Sequence, residues 1–385
     1  MCGSILNEHS ANFDVAVIGA GIAGSSLAAE LAKHTSVVLI EMEGQPGYHT
    51  TGRSAAFFAP TYGPQPIRAL TRASFDFFRH PPDQFCDVPL LAPRDVLMVA
   101  RSDQVDTLRS FLGEVSESSS IRLTSADEAR SMHPLLRSDY VGSAAIDTGS
   151  REIDVSALHH GYLRSFKSAN GTLQNNCRVL SLQRNRNNWL IQTNRSTIEA
   201  RLIVNTAGAW ADEVGQMAEA EPIGLVPKRR TVMMVDMPGD VDPDSLPMVV
   251  DIDEEFYMKP ETGGFLISPA NEDPMPPCDV QPEEIDIARC IERIETAFEI
   301  RIGAIRNKWA GLRSFVPDKC PVVGHSAKVD GFFWLAGQGG YGIQTAPALA
   351  RYAAAVALEK EVPTDLVAEG LAPSEIQPDR LHSTR

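Results

Sequence analysis

The stretch Asp14-Val-Ala-Val-Ile-Gly-Ala-Gly-Ile-Ala-Gly24 decides the fold of this 385-residue chain. It starts as an apolar strand and leaves that strand through glycines in the spacing G-x-G-x-x-G. Residues 22–33 have the composition and length of a helix, and residues 36–40 form a second apolar strand. The order strand, glycine turn, helix and strand predicts a β-α-β unit that binds a dinucleotide.

Each glycine of this unit has a separate physical task. Gly19 permits the tight turn, Gly21 lets the backbone approach a pyrophosphate, and Gly24 lets the helix pack closely on the sheet. The helix N-terminus offers free N–H groups and partial positive charge to that anion. Glu41 ends the second strand, where a carboxylate can accept hydrogen bonds from both ribose hydroxyls. An acid at this position argues against a 2′-phosphate, and therefore against NADP.

The overall composition is that of a folded globular protein with an acidic surface. Apolar residues make up 43% of the chain and charged residues 22%, which excludes a disordered or fibrous chain. The chain has 50 acidic and 35 basic residues, so its net charge is −15. Because such a field repels phosphate backbones, we expect no nucleic-acid partner.

The cysteines and the N-terminal residues indicate the cellular compartment in which the protein is expected. The six cysteines include no CxxC pair, so we expect neither a metal site nor a disulfide scaffold. This fits a cytoplasmic protein, either free or peripheral at the inner face of the membrane. Residues 1–12 lack the pattern of a signal peptide. The most apolar long stretch, residues 15–32, is interrupted by glycines, so we expect no transmembrane segment.

The pattern of strands changes along the chain. Parallel-type apolar strands recur at residues 202–204 and 332–336, whereas residues 230–268 contain short strands separated by turn residues at roughly ten-residue spacing. We therefore predict an α/β fold in which a dinucleotide-binding domain (14–90, 146–220 and 317–365) carries an inserted antiparallel-sheet substrate domain (91–145 and 221–316). The termini, 1–12 and 370–385, are expected to be flexible.

Three further segments favour a flavin over a nicotinamide. Residues 47–56 are small or hydroxyl-bearing, and such a run can lie flat against a broad planar ring. Residues 204–210 leave a buried strand through small residues that include Gly208. Residues 337–344 are glycine-rich and lead into a helix whose N-terminus could stabilise negative charge on a reduced flavin. Each segment alone is ambiguous, because a glycine-rich turn is a plain loop more often than a ligand site.

The three segments, in this order, resemble those of the D-amino-acid-oxidase-type FAD-dependent oxidoreductases. Within that family, Gln45-Pro-Gly-Tyr-His-Thr-Thr-Gly-Arg-Ser-Ala-Ala56, Pro227-Lys-Arg-Arg230, Trp309-Ala-Gly-Leu-Arg-Ser-Phe315 and Gln338-Gly-Gly-Tyr-Gly-Ile-Gln344 look like bacterial D-arginine dehydrogenases. The resemblance spans nearly the whole chain. It implies a Rossmann-like domain of the glutathione-reductase type.

The resemblance also implies FAD that is held without a covalent bond. The residues that it places around the cofactor are Ala23, Glu41, Met42, Thr50, Thr51, Gly52, Arg53, Ser54, Ala55, Ala56, Val179, Gly339, Gly340, Tyr341, Gly342, Ile343 and Gln344. The glycine fingerprint adds Gly19, Gly21 and Gly24, and the strand exit adds Gly208. His49 lies inside the non-covalent family's loop, so we expect it to make a structural hydrogen bond to phosphate or backbone instead of a flavin bond.

Oxidation of an amino acid by a flavin depends mainly on orientation and charge placement, because the Cα–H must point at flavin N5. A substrate carboxylate favours a guanidinium, and Arg313 is the candidate. Tyr257 could share that carboxylate, or be a half-buried sheet tyrosine. Arg230 is a weaker candidate, since residues 228–230 could equally form a solvated basic cluster. Tyr62 resembles the family's lid residue, although a turn tyrosine is the alternative.

The resemblance places Gly340 in the substrate pocket. Two other residues of that pocket depart from the D-arginine dehydrogenase pattern. Phe57 replaces a histidine, and Val96 replaces a glutamate suited to a substrate guanidinium. Asp95 is adjacent to Val96, but on a strand its side chain would face the other way. We therefore expect a more apolar pocket that favours apolar or neutral side chains, because an unpaired buried guanidinium is costly.

These observations predict the oxidative deamination of a D-amino acid to an imino acid, which water hydrolyses to a 2-oxo acid and ammonia. Two alternatives stay open. The same fold could oxidise a secondary amine or a 2-hydroxy acid, or it could be a non-catalytic FAD-binding subunit. The sequence leaves open whether oxygen, a quinone or an electron carrier reoxidises the flavin.

Overall fold

The structure is a computed structural model that describes residues 11–236 and 241–381. Its strands are, in chain order, β1 (Ala11–Ile18), β2 (Val37–Ile40), β3 (Phe57–Phe58), β4 (Leu91–Pro93), β5 (Val96–Ala100), β6 (Ile121–Thr124), β7 (Ser143–Asp147), β8 (Arg151–Ile153), β9 (Thr172–Gln174), β10 (Val179–Asn185), β11 (Asn188–Thr193), β12 (Thr197–Asn205), β13 (Val226–Val235), β14 (Met248–Asp251), β15 (Tyr257–Glu261), β16 (Gly264–Ser268), β17 (Asp273–Pro274), β18 (Ile305–Phe315), β19 (Val322–His325) and β20 (Phe332–Ala336). Its α-helices are α1 (Ile22–Leu31), α2 (Gln65–Arg79), α3 (Val105–Glu114), α4 (Ala126–Met132), α5 (Val155–Ser168), α6 (Ala211–Met217), α7 (Glu284–Ala297), α8 (Gly342–Ala357) and α9 (Thr364–Ala368).

The first sheet contains the predicted β-α-β unit. Strands β9, β2, β1, β12 and β20 run parallel to one another, and β19, β11 and β10 add antiparallel pairs. Side chains alternate across it: Val15 and Val17 pack into one core with α1, α5 and α8, whereas Ala16 and Ile18 pack into a second core with α6. Both faces of the central part of the sheet are covered, which explains why β2 and β20 are apolar throughout.

The second sheet is built from later and earlier parts of the chain. Its strand order is β17-β13-β16-β15-β14-β5-β7-β6, and β18 pairs with β13 over ten residue positions. The predicted antiparallel meander is present in β13 to β16, but β14 also pairs in parallel with β5, a contact that strand spacing does not predict. One face of this sheet packs on α7, and the other faces the first sheet's domain.

Each of the two large sheets takes its strands from its own stretches of the sequence. The first sheet takes strands from 11–40, 172–205 and 322–336, and the second takes strands from 96–147 and 226–315. Strand β7 crosses the boundary that we predicted between residues 145 and 146. The exact domain boundaries therefore stay a proposal.

The predicted flexible termini fall only in part within the described residues. Ala11 and Asn12 begin β1. At the other end, Leu371 and Ile376 are buried in the core of the first sheet, and the Ile376 carbonyl accepts a hydrogen bond from the Val323 N–H. Residues 371–381 are therefore packed on the first sheet, in contrast to the predicted flexible terminus, because apolar side chains there complete the core of that sheet.

Of the helices within the described ranges, none combines the length and the apolar character that crossing a membrane requires. The longest of those helices, α8, has 16 residues.

One buried histidine makes the stability of the second sheet sensitive to pH. His133 ends α4 with no exposed surface, packs against Phe298 and Phe265, and has no hydrogen-bond partner for either ring nitrogen among the described residues. Burial lowers the pKa of His133 to about 4, from an ordinary value of 6.5. The unfolded chain therefore binds this proton first, and stability falls as the pH drops from about 6.5 toward 4.

We expect His133→Leu to remove this part of the pH dependence. Between pH 7.5 and pH 5 the wild type should lose about 2 kcal/mol more unfolding free energy than the variant does. The measurement is urea unfolding at both pH values, with the exposed His80→Gln as the control. Identical pH slopes in wild type and His133→Leu would contradict the prediction.

Candidate functional site

A cavity of about 410 Å3 opens at the carboxyl ends of the parallel strands. Its walls include the residues that follow β1, β2, β12 and β20, namely Gly19, Glu41, Thr206 and Gln338. It continues to Arg313 and Tyr257 on the second sheet. Ligands of open parallel sheets bind at these strand ends, so the cavity lies where a dinucleotide is expected.

The glycine turn after β1 brings α1 unusually close to the sheet. Gly19 has a φ of +104°, which favours glycine. A Cβ on Gly24 would lie 1.8 Å from the Gly19 carbonyl oxygen, so no larger residue fits there. The Ile22 N–H at the start of α1 donates to the Thr51 hydroxyl at 2.9 Å. The turn thus places the helix N-terminus and a hydroxyl side by side at the cavity wall.

Glu41 is held in place by the backbone. One carboxylate oxygen accepts the Ala20 N–H at 2.8 Å, and the other accepts the Glu43 N–H at 2.9 Å. The side chain is buried but lines the cavity. Each oxygen retains a lone pair, so the fixed carboxylate can still accept a hydroxyl from a ligand.

The loop of residues 50–56 connects the cofactor cavity to β18. The Thr50 hydroxyl donates to the Leu312 carbonyl at 2.7 Å, and the Trp309 indole N–H donates to the Arg53 carbonyl at 3.1 Å. The Arg53 guanidinium donates in turn to the Ala310 carbonyl at 3.0 Å. These three bonds fix the strand that carries Arg313 against the loop.

His49 differs from its predicted role as a partner of backbone or phosphate. Its ring hydrogen-bonds the Glu43 carboxylate at 3.0 Å and packs on the Trp210 indole, with ring centroids 4.7 Å apart. Trp210 lines the cavity together with Leu180 and Met217, residues to which we assigned no role from the sequence. Trp210 ends the strand-exit segment 204–210, which was the available signal for it.

Arg313 and Gly340 are in direct contact at the far end of the cavity. A Cβ on Gly340 would lie 2.8 Å from a terminal nitrogen of Arg313, so the guanidinium lies against the Gly340 backbone. No acidic side chain in the described ranges forms an ion pair with Arg313. Burial disfavours its charge, but the neighbouring Tyr62 and Tyr257 together with Glu254 outweigh burial and raise the pKa of Arg313. A positive, unpaired guanidinium therefore faces the cavity.

Arg230 lies on the same side of the second sheet as Arg313. Its guanidinium donates to the Asn271 carbonyl at 2.9 Å and to the Glu272 carboxylate at 3.2 Å. Burial, followed by repulsion from Arg313, lowers the pKa of Arg230. The alternative of a solvated basic cluster does not hold, because Arg230 is only 5% exposed and Arg229 is buried on the opposite face with Asp286.

The two tyrosines predicted for the substrate site, Tyr257 and Tyr62, differ in their relation to the cavity, because only Tyr257 lines it. Tyr257 lines the cavity and is buried on β15. Tyr62 packs edge-on against Tyr341, with centroids 5.1 Å apart, and its hydroxyl faces Arg313. Burial, reinforced by Glu254, raises the pKa of Tyr62, so its hydroxyl remains a neutral hydrogen-bond donor at ordinary pH.

Val96 and Phe57 lie behind the cavity wall. They belong to an apolar cluster with Tyr257 and Val232, two residues that do line the cavity. Val96 is buried, and the Lys259 ammonium lies 5.7 Å from the centroid of the Phe57 ring. Asp95 is exposed and does not join this cluster. The cluster therefore forms an apolar layer that contributes Val232 and Tyr257 to the cavity wall.

Most of the predicted cofactor residues line the cavity. These are Gly19, Gly21, Ala23, Glu41, Met42, Thr50, Thr51, Arg53, Ser54, Ala55, Val179, Gly208, Gly339, Gly340, Gly342 and Ile343. Five predicted residues do not line the cavity, namely Gly24, Gly52, Ala56, Tyr341 and Gln344. The Ser314 hydroxyl in the wall and the Gln344 amide nitrogen are buried without a partner among the described residues. Unpaired donors beside a glycine-lined cleft fit a large polar cofactor.

The glycine turn, the fixed Glu41 and the cleft at the strand ends together define a dinucleotide-binding protein. The chain belongs to the family described as FAD dependent oxidoreductase, which matches residues 14–356. FAD is therefore the cofactor, and the cavity residues named above are the ones available to hold it.

Three relatives illustrate the family. Human mitochondrial dimethylglycine dehydrogenase is 26% identical over 92% of this chain. Glycine oxidase from Geobacillus kaustophilus is 22% identical over 92% of this chain and 95% of its own, and its crystal structure superposes with a TM-score of 0.77 over 94% and 99% of the two chains. L-alpha-glycerophosphate oxidase from Mycoplasma pneumoniae, solved with FAD bound, gives a TM-score of 0.79 at 17% identity, covering 90% and 95%.

The chain spans less than half the length of the dimethylglycine dehydrogenases that it matches, 43% for the human protein. These relatives support the FAD-dependent family and its fold. They do not support the narrower resemblance to D-arginine dehydrogenases.

We expect Glu41→Ala to weaken FAD retention. The change removes the acceptor of the Ala20 N–H and of the ribose hydroxyls, which is typically worth about 1.5–3 kcal/mol for a charged hydrogen bond. Glu41→Gln keeps the shape and one oxygen, so it should retain more FAD than Glu41→Ala. The measurement is the ratio of flavin to protein absorbance after dialysis. Equal flavin content in both variants and wild type would contradict this role.

Proposed function

We propose that this chain oxidises an amino acid at the carbon that carries its amine, using FAD, and that Arg313 binds the substrate carboxylate. The observation that carries the proposal is the unpaired Arg313 guanidinium, which lies against Gly340 at the end of the FAD cavity. A half-buried cation without an ion-pair partner favours an anionic ligand, and a guanidinium matches a carboxylate through two parallel hydrogen bonds.

The remaining residues orient the substrate around that ion pair. Tyr62 and Tyr257 lie beside Arg313, and each phenol hydroxyl can donate one hydrogen bond to the same carboxylate. Arg230 adds positive charge from the same sheet face but is held by Asn271 and Glu272. Bound FAD supplies the hydride acceptor, so the chain's own residues need only hold the Cα–H toward it.

For the substrate, we propose a D-amino acid with an apolar or small neutral side chain. The apolar cluster of Val96, Phe57, Val232 and Tyr257 supports this choice, since it borders the cavity beside the carboxylate site. Deamination would yield an imino acid, which water hydrolyses to a 2-oxo acid and ammonia.

A second candidate is a glycine-type substrate with a methylated amine. The similarity to dimethylglycine dehydrogenase and to glycine oxidase favours it, because the first name describes a glycine methylated on nitrogen and the second describes glycine itself. The carboxylate would bind to Arg313 in the same way. The two candidates differ in whether the pocket must hold a side chain or a substituent on nitrogen.

We expect Arg313→Ala to lower kcat/KM by the equivalent of about 2–5 kcal/mol, because it leaves a buried carboxylate unpaired. Tyr257→Phe should cost about 1 kcal/mol, since the arginine remains. Lys228→Ala is the matched control: Lys228 lies directly across from Arg313 on β13, is paired with Glu272, and does not line the cavity. Steady-state kinetics at equal flavin content decide the matter, and an unchanged kcat/KM in Arg313→Ala would remove this residue from the site.

The substrate preference is tested on D-leucine, D-methionine, D-phenylalanine, D-arginine and sarcosine. We expect apolar D-amino acids to exceed D-arginine in kcat/KM by at least about tenfold, or 1.4 kcal/mol. Val96→Glu should shift the preference toward D-arginine, because it provides a partner for the guanidinium. Higher kcat/KM with sarcosine would establish the second candidate, and a preference for D-arginine would contradict the apolar pocket. Failure of every substrate to bleach the flavin anaerobically would contradict both.

A further inference from the structure

The segment that carries Tyr62 is held at two points by buried hydrogen bonds. It runs from Ala59 to Gly63 between β3 and α2. The Ala59 N–H donates to the Gln344 side-chain oxygen at 3.0 Å, and the Thr61 hydroxyl donates to an Asp147 carboxylate oxygen at 2.7 Å. Thr61 is 1% exposed and Asp147 is fully buried. The segment is therefore tied to α8 of the first domain and to β7 of the second sheet.

Asp147 is itself fixed from two further directions. Its other carboxylate oxygen accepts the Ser120 hydroxyl at 2.8 Å and the Gly149 N–H at 2.8 Å. It stands directly across from Val96 in the pairing of β7 with β5. No cationic side chain of residues 11–236 or 241–381 forms an ion pair with it. The Thr61 hydroxyl donates to a buried carboxylate, so this bond is charge-assisted and strong.

Tyr62 follows Thr61 directly, so its position depends on that bond. Its ring packs edge-on against Tyr341, and its hydroxyl faces the Arg313 guanidinium. The backbone N–H of Tyr62 donates to the Ala59 carbonyl at 3.1 Å, which makes the segment one compact turn. Releasing Thr61 would leave a buried carboxylate one donor short and free the turn at one end.

We propose that Thr61 and Asp147 form a latch that positions Tyr62 at the substrate carboxylate site. The proposal rests on the proposed function of Arg313 and Tyr62, but it concerns residues outside the cavity. Thr61 and Asp147 act through Tyr62 and are positioning residues. The bond between Thr61 and Asp147 fixes the turn from which the Tyr62 hydroxyl faces Arg313, so the latch determines where that hydroxyl lies.

The kinetic test compares Thr61→Val, which keeps the side-chain shape and removes the donor, with Thr61→Ser, which keeps the donor. We expect Thr61→Val to raise KM about tenfold with kcat within about twofold, because Tyr62 binds the carboxylate equally before and during the reaction. Thr61→Ser should restore the wild-type KM. Ser120→Ala is the matched control, since it removes one hydroxyl from the same carboxylate on the side away from Tyr62, and we expect it to leave KM unchanged.

A double-mutant cycle separates positioning from general destabilisation. If Thr61 acts through Tyr62, the tenfold effect of Thr61→Val should disappear in a Tyr62→Ala background. An effect of the same size in both backgrounds, or an equal effect of Ser120→Ala, would overturn the latch. If Thr61→Val does not fold, Asp147→Asn provides the same comparison with a weaker acceptor.

A measurement without substrate tests the latch independently of the proposed function. Hydrogen–deuterium exchange of the Ala59–Gly63 amides in the FAD-loaded enzyme should be faster in Thr61→Val than in wild type or Ser120→Ala. Arg313→Ala could leave kcat/KM unchanged while amide exchange still rises in Thr61→Val. In that case the latch stands and the proposed carboxylate site fails. Unchanged exchange in Thr61→Val would overturn the latch whatever the kinetics show.

Discussion

The hydrogen bond from the Thr50 hydroxyl to the Leu312 carbonyl joins the two halves of this molecule at the point where function is expected. Its donor lies in the cofactor loop, and its acceptor precedes Arg313 on β18. The Trp309 indole and the Arg53 guanidinium add bonds in the same place. Because these groups are linked, the distance from the FAD cavity to the cationic site is set by short, directional contacts and not by a flexible connection.

Charge is distributed unevenly around that junction. The chain carries a net charge of −15, yet Arg313 and Arg230 lie on the same face of the second sheet and border one cavity. Arg230 has Glu272 as a partner, whereas no acidic side chain within the described ranges pairs with Arg313. Keeping two cations together in a buried site costs free energy, and repulsion from Arg313 helps lower the pKa of Arg230. An anionic ligand would reduce that cost, which is the physical basis for the carboxylate substrate that we propose.

The second sheet contributes two different surfaces to the protein. Alternate residues of β5, β14 and β15 point either to α7 or toward the cofactor domain, so Leu97 is core whereas Val96 belongs to the layer beside the cavity. The same sheet holds Asp147, whose carboxylate fixes Thr61 and, through it, the Tyr62 turn. The sheet therefore supports both the apolar and the polar sides of the proposed site.

Local sequence determined the first part of this structure. The β-α-β unit, its glycine turn and Glu41 follow from side-chain periodicity and from positions that only glycine tolerates, and these depend on neighbours within about thirty residues. The short strands β13 to β16 were also predictable, because turn residues separate them. The family resemblance added Arg313 and the cofactor loop, whose place at the cavity the structure describes.

Tertiary structure alone decided the contacts between distant segments. The parallel pairing of β5 with β14, the packing of residues 371–381, the partner of His49, and the separation of Arg229 from Arg230 onto opposite faces were not readable from spacing. The bond between Thr50 and Leu312 joins residues 262 positions apart, and that between Thr61 and Asp147 joins residues 86 positions apart. Such bonds depend on the relative placement of whole sheets, which is set by burying their apolar faces together, and no local pattern of residues records that placement.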